Sequence, residues 1–206
     1  MILILGAGGM AEAFDGVSVP QSVCDVRDLT AVMQTLGTYD PDVVILTAGV
    51  SNPNPIERAS VEEEIGTNML GAFNVAQACV WAGVKTMIFV ASVAGLYGKP
   101  IHSAYSATKA GVISLVQSLA MEGHNAYAVS PGRVDTPMRE KDYPQDQPGS
   151  RLEPDHVWSV IKEILRGDYE PGSNVMIRKQ GFTEIIKKVV PTPMRDELRV
   201  GEPVTI

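Results

Sequence analysis

Cysteine is scarce: Cys24 and Cys79 are the two among 206 residues. Both lie in apolar surroundings without metal-ligand spacing, which argues against a disulfide framework or a metal site and for buried, reduced thiols. Basic charge is also short, with 17 Lys and Arg against 24 Asp and Glu, a net charge of −7. With a pI near 5.0, no basic footprint for nucleic acid is expected. No apolar run reaches the ~18 residues of a membrane span. The N-terminus has no basic region ahead of MILIL, which is too short for a signal peptide. The expectation is a cytoplasmic protein with neither nucleic-acid nor membrane partner. Internal repeats, linkers and a second domain are missing too. What remains is 45% hydrophobic and 20% charged, an ordinary composition for one domain with a sizeable core.

Strands and helices alternate along the chain. Met1 to Leu5 is a short unbroken apolar run, as in a parallel strand buried on both faces. Gly6-Ala7-Gly8-Gly9-Met10-Ala11 follows directly. A glycine-rich turn between strand and helix lets backbone N–H groups approach a pyrophosphate, and a helix N-terminus favours its charge. Ser22 to Val26 reads as the next strand, and Asp28 as the cap of a helix bearing Leu29, Val32, Met33 and Leu36. Asp40-Pro41 opens a strand from Val43 to Thr47 that ends in Ala48-Gly49. Ser60 and Glu63 have capping-box spacing before a helix to about Trp81, with Ile65, Met69, Phe73, Ala76 and Val80 inward. Further strands are expected at Thr86 to Ala91, Ala126 to Val129 and Asn174 to Arg178, and helices at Ser103 to Met121 and Pro154 to Leu165. Phe182 to Val190 reads as a short amphipathic helix, with an extended arm beyond Pro191 and Pro193. This alternation indicates an α/β fold, a doubly wound parallel sheet flanked by helices.

Ser92 to Lys109 carries the chemistry. Tyr105 and Lys109 stand at i and i+4, on one helix face. A phenol titrates near about 10, too high for acid–base work at neutral pH, and a neighbouring ammonium pulls it down. Ser92 ends the run MIFVAS, where its hydroxyl can face the phenol and bind the oxygen of a carbonyl or alcohol. Met138 to Arg151 is polar and reads as a substrate lid or a plain surface loop.

Ser92-Val-Ala-Gly, Tyr105-x-x-x-Lys109-Ala-Gly and Pro131-Gly132-Arg133-Val134-Asp135-Thr136-Pro137 together resemble the short-chain dehydrogenase/reductase family, from Met1 to about Gly181. The resemblance implies a Rossmann-type domain over 1–181, with 182–206 an extension or arm packed on the domain or on a partner subunit. It implies hydride transfer between a nicotinamide and a carbonyl or alcohol, with Asn68, Ser92, Tyr105 and Lys109 catalytic. The cofactor would be held by Gly6, Ala7, Gly8, Gly9, Met10, Asp25, Val26, Ala48, Gly49, Tyr105, Lys109, Pro131, Gly132, Val134 and Thr136. Met10 and Glu12 replace later glycines of the family's turn, which puts a carboxylate near the expected phosphates, and Ala48-Gly49 lacks the family's asparagines. The span from Gly6 to Asp25 is too short for the usual elements, so the second strand and its helix are expected to be reduced or absent, with Ser22 to Val26 the family's third strand. Asp25 then faces adenine, and the cofactor is NAD or NADP, leaning to NAD for want of a phosphate site. A homodimer or homotetramer built on Ser103 to Met121 is expected, because Val112, Val116 and Leu119 need cover. Two other readings stay open: an epimerase or dehydratase of the extended branch, and a non-catalytic nucleotide-binding homologue.

Overall fold

The computed structural model describes residues 1–147 and 149–179, with the backbone of 180 and 183–189. Seven strands form one sheet, in the order β2-β1-β3-β4-β5-β6-β7. β1 (Ile2–Leu5), β2 (Val17–Val19), β3 (Val43–Leu46), β4 (Thr86–Val90), β5 (Ala126–Pro131) and β6 (Asn174–Gln180) pair in parallel. β7 (Thr183–Val189) runs antiparallel along β6, with Asn174 opposite Val189. The segment expected as an amphipathic helix is therefore a strand, and it covers a β6 edge that would otherwise be open to pairing. Residues 190–206, where the arm was expected, lie outside the described residues.

Period-two alternation sends neighbouring strand residues to opposite faces. Leu3, Leu5, Leu46, Met87 and Phe89 pack with residues of α1 (Leu29–Tyr39), α3 (Gly71–Ala82) and α4 (Ser103–Met121). Ile4, Ile45, Ile88 and Val129 pack on the other face with Val157, Ile161 and Ile164 of α6 (Pro154–Arg166). Both faces are covered, which is why the strands read as unbroken apolar runs. Among the described residues no helix is long and apolar enough to cross a membrane.

Two local expectations fail near the N-terminus. Ser22 to Val26 is not a strand but turn and irregular chain, in which Val23 N and Cys24 N both donate to Pro20 O at 2.9 and 3.0 Å. Pro20 has no N–H for a ladder, so β2 stops at Val19 and the chain turns. The strand retained beside β1 is thus Val17–Val19, and no helix separates it from the Asp25 turn. The Gly6 to Gly16 connection is near the ~10–12-residue minimum for a crossover. It holds only a 3-10 helix, Gly9–Ala13. Phe14 stacks on Trp158 (centroids 5.2 Å apart) and the Trp158 indole donates to Asp15 at 3.1 Å, fixing this turn to α6.

The helix after Ser60 also departs from its expected pattern. The capping box does not form: the Ser60 hydroxyl donates to Glu62 at 2.8 Å, and the N-cap is Val61. α2 (Glu62–Glu64) passes into a π-helical turn, Ile65–Leu70, before α3. A wider turn rotates the residues that follow it. Asn68, Ala72, Val75 and Cys79 face inward, while Ile65 and Phe73, expected inside, are exposed.

Candidate active site

β4 ends at Val90 and delivers Ser92 to the N-cap of a 3-10 turn, Val93–Gly95, where its Oγ accepts from Ala94 N at 3.1 Å. A Cβ on Gly95 would lie 2.6 Å from the Lys109 carbonyl carbon, so glycine lets this turn lie directly against α4. Ser92 thereby faces Tyr105, one turn before Lys109. Lys109 is buried, its Nζ donating to Val90 O at 3.0 Å and lying 5.7 Å from the Tyr105 ring centroid. Burial lowers its pKa to about 8 and pushes the Tyr105 phenol up to about 12, against a smaller opposing pull from Ser92. The expected lowering of the phenol by Lys109 does not set its direction: desolvation is the largest influence on it, and the ammonium is held on the Val90 carbonyl.

Asn68, in the π-helical turn, is fully satisfied. Its Oδ1 accepts from Val50 N at 2.8 Å, and its Nδ2 donates to Val50 O at 2.9 Å and Thr108 Oγ1 at 3.2 Å. The amide therefore ties the Gly49-Val50 turn to α4. A Cβ on Gly49 would lie 3.2 Å from Asn68 Oδ1 and 3.3 Å from Lys109 Nζ, which places all three together.

Two cavities open at the carboxyl ends of the strands. The smaller, about 430 Å³, lies over β1 and β3, where the chain switches direction across the sheet, the place where open α/β sheets take ligands. The candidates Gly6, Ala7, Gly8, Gly9, Met10, Asp25, Val26, Ala48, Gly49 and Thr136 all line it. Gly6 has φ +122, and a Cβ there would meet Thr47 Oγ1 at 2.5 Å. Glu12 is exposed and does not line the cavity, so the carboxylate expected near phosphates points elsewhere. The Asp25 carboxylate is held by Arg27 (Nε at 2.9 and 3.0 Å), which keeps its pKa well below the usual range.

The larger cavity, about 730 Å³, is lined by Ser92, Tyr105, Pro131, Gly132 and Val134, and shares Met10, Thr136 and Met138 with the smaller one. Asn68 and Lys109 line neither and stand behind the Gly49 wall. The Thr136 hydroxyl is partly committed, accepting from Arg139 N at 3.2 Å as the cap of α5 (Pro137–Asp142). α5 opens the Met138–Arg151 segment, where Arg139 pairs with Asp146 at 2.6 Å and Arg151 reaches Asp135, Glu140 and Asp146. Several of its residues wall the larger cavity. Among the described residues no group of three His, Cys, Asp or Glu side chains is placed to hold a metal ion. Both cysteines are free and buried, and burial pushes the Cys79 thiol up to about 12.

The short chain dehydrogenase family model matches residues 10–147. The chain belongs to the short-chain dehydrogenase family. It is 38% identical over 121 residues to a 3-oxoacyl-[acyl-carrier-protein] reductase of Thermotoga maritima, covering 53% of this chain and 48% of that protein. It is 34% identical over 142 residues to a 3-dehydrosphinganine reductase of Arabidopsis thaliana, covering 62% and 43%. The chain thus spans about half the length of these curated relatives. Its fold resembles the crystal structure of a 3-oxoacyl-[acyl-carrier protein] reductase from Brucella melitensis, with a TM-score of 0.71, 23% identity, and 88% and 91% of the two chains covered. A 4-hydroxyisoleucine dehydrogenase complexed with NADH aligns with a TM-score of 0.69 at 23% identity, covering 88% and 98%.

Beyond the motifs that mark this short-chain dehydrogenase, sequence reasoning missed His102. Its Nε2 lies 3.0 Å from the Tyr143 hydroxyl, its ring stacks on Tyr143 and meets Tyr105 edge-on (centroids 6.1 Å). Burial lowers its pKa. The available signal was its place three residues before Tyr105, at the N-cap of α4. Its partner Tyr143 is remote in sequence and had no signal.

Proposed function

We propose that the chain is an NAD(P)-dependent oxidoreductase that interconverts a small carbonyl compound and its alcohol, with Tyr105 as general acid and base. One observation carries this reading: Ser92 and Tyr105 meet on the wall of a cavity that adjoins the glycine-lined cavity across Met10 and Thr136. The smaller cavity fits a dinucleotide, because Ala7, Gly8, Ala48 and Gly49 leave backbone bare along its wall and a Cβ on Gly8 would meet nothing within 4 Å. When bound there, the nicotinamide supplies the hydride donor or acceptor. Ser92 orients the substrate oxygen, and Tyr105 gives or takes the proton at its phenol oxygen. Lys109 stands behind the Gly49 wall with donors left beyond the Val90 carbonyl, and its positive charge favours the phenolate as Tyr105 gives up its proton. Asn68 acts through position, holding Val50 against α4.

The β6–β7 pairing supports a domain over 1–181 with an extension packed on that domain. The exposed stripe of Ile65, Leu70, Phe73 and Trp81 supports a homodimer or homotetramer. It replaces the face first expected to be covered by a partner, since Val112, Val116 and Leu119 are buried in the chain's own core. Free, buried Cys24 and Cys79 fit a reducing, cytoplasmic setting.

The test is to incubate the protein with NADH and NADPH, screen carbonyl compounds by loss of cofactor absorbance, and repeat with Tyr105→Phe. We expect turnover to fall by ~10²–10⁴-fold while cofactor affinity stays within a few-fold. A Tyr105→Phe protein within a few-fold of the parent rate would overturn the assignment.

A further inference from the structure

The larger cavity is basic in an acidic protein. Lys99, Arg133, Arg139, Arg178 and Lys179 line it against Asp142 and Asp146, in a chain of net charge −7. Part of that charge is structural. Arg139 is bound to Asp146 and lies over the Tyr143 ring at 3.7 Å, and Lys99 sits over the same ring at 4.4 Å. Arg133 and Arg178 make no salt bridge among the described residues, although Arg133 helps to hold the Asp146 carboxyl below its usual range. Backbone bonds bring them to neighbouring places on the cavity wall: Leu152 N donates to Arg133 O, and Gly132 N to Ile177 O at 2.8 Å. Lys179 joins them, one of its donors on Arg151 O at 3.1 Å. Ser150, also on this wall, has a buried hydroxyl without a hydrogen-bond partner among the described residues, and such groups are rare unless something meets them.

We propose that this part of the cavity wall binds an anionic group, a carboxylate or a phosphate, of the carbonyl substrate, through Arg133 and Arg178 with Lys179 and Ser150 beside them. This rests on the oxidoreductase reading, in which Ser92 and Tyr105 of the same cavity take the substrate oxygen. Guanidinium groups match the planar or tetrahedral oxygens of such anions, and a concave wall strengthens the attraction. The cavity is large enough to admit one small molecule.

Two substrate pairs test it: 2-oxobutanoate against its methyl ester, and dihydroxyacetone phosphate against dihydroxyacetone. At least one pair should show a kcat/KM preference for the anion, weakening with added salt. Arg133→Gln with Arg178→Gln should cut that preference ~10–100-fold, mainly through KM, as expected for a lost charge-assisted bond. Lys85→Gln, which removes a surface cation at the opposite end of β4, should leave the preference intact. The pair that responds tells carboxylate from phosphate, and a preference in neither, or one the arginine variants leave unchanged, overturns the proposal. Calorimetric binding of inorganic phosphate and of 2-oxobutanoate to the cofactor-free protein and to the double variant separates the two readings. If no carbonyl compound turns over but an anion binds and the variant loses it, the oxidoreductase reading fails and the anion site stands. If neither probe binds the parent protein, the anion site fails whatever the activity.

Discussion

Lys109 and Tyr105 are held in opposite protonation tendencies by the same cause. Burial disfavours either charged form, so the amine falls from 10.5 to about 8 while the phenol rises from 10.0 to about 12. Near neutral pH the phenol is a proton donor, and the amine is close to losing its proton. Folding is linked to this. Between pH 8 and 10 an unfolded Lys109 binds a proton that the native one does not, so its penalty shrinks and stability rises with pH. Tyr105 acts in the other direction, its contribution complete below pH 10 and lost as pH rises through about 12. Comparing the parent with Lys109→Met cancels the tyrosine. We expect parent stability, relative to the variant, to grow by about 2 kcal/mol from pH 8 to pH 10. Urea titrations at the two pH values measure it, and a difference that stays flat would show Lys109 charged throughout.

The helical run Glu62–Ala82 does two things at the scale of an element. Its π-helical turn aims Asn68 at Val50 and Thr108, as wide turns often do at functional sites. The same turn puts Ile65, Leu70, Phe73 and Trp81 on the outside. If that stripe is the subunit contact, Phe73→Arg should leave the fold intact and weaken assembly by ~2–4 kcal/mol, the cost of losing a central anchor. Val116→Arg should behave differently. Val116 is fully buried, and an unpaired charge there costs about 3–5 kcal/mol of folding stability. Light scattering with thermal melts distinguishes the two, and a monomeric parent protein would end the assembly argument.

At the scale of the molecule, the brief β1–β2 connection and the turn after β2 shape one wall of the smaller cavity. β2 ends at Val19, and Pro20 and Gln21 follow it on the cavity wall, where the Rossmann pattern places an acid for the ribose. The acid nearest that place, Asp25, is neutralised by Arg27. A neutral pair neither repels a 2′-phosphate nor attracts it. We expect NAD and NADP to bind within ~100-fold of each other, about 2.7 kcal/mol. Arg27→Ala frees the carboxylate and should move the ratio ~10-fold toward NAD. Fluorescence titration of NADH and NADPH reads both numbers, and an unmoved ratio would clear the Asp25–Arg27 pair of any selecting role.

Local rules carried the sequence reading where the signal was local. Unbroken apolar runs gave buried parallel strands, Asp28 capped α1 with bonds to Thr30 N and Ala31 N, and the i, i+4 pair Tyr105 and Lys109 fell on one helix as its period requires. Family motifs then located both cavities through Gly6 to Met10 and Ser92 to Lys109. What depended on distant partners was not legible. The outward turn of Phe73 comes after a π-helical turn that leaves no mark in the periodicity. β7 is a strand because β6 presents an edge, whereas its own sequence suits either structure. Tyr105 is driven up rather than down because the fold removes water from it, and desolvation belongs to the packed molecule, never to spacing along the chain.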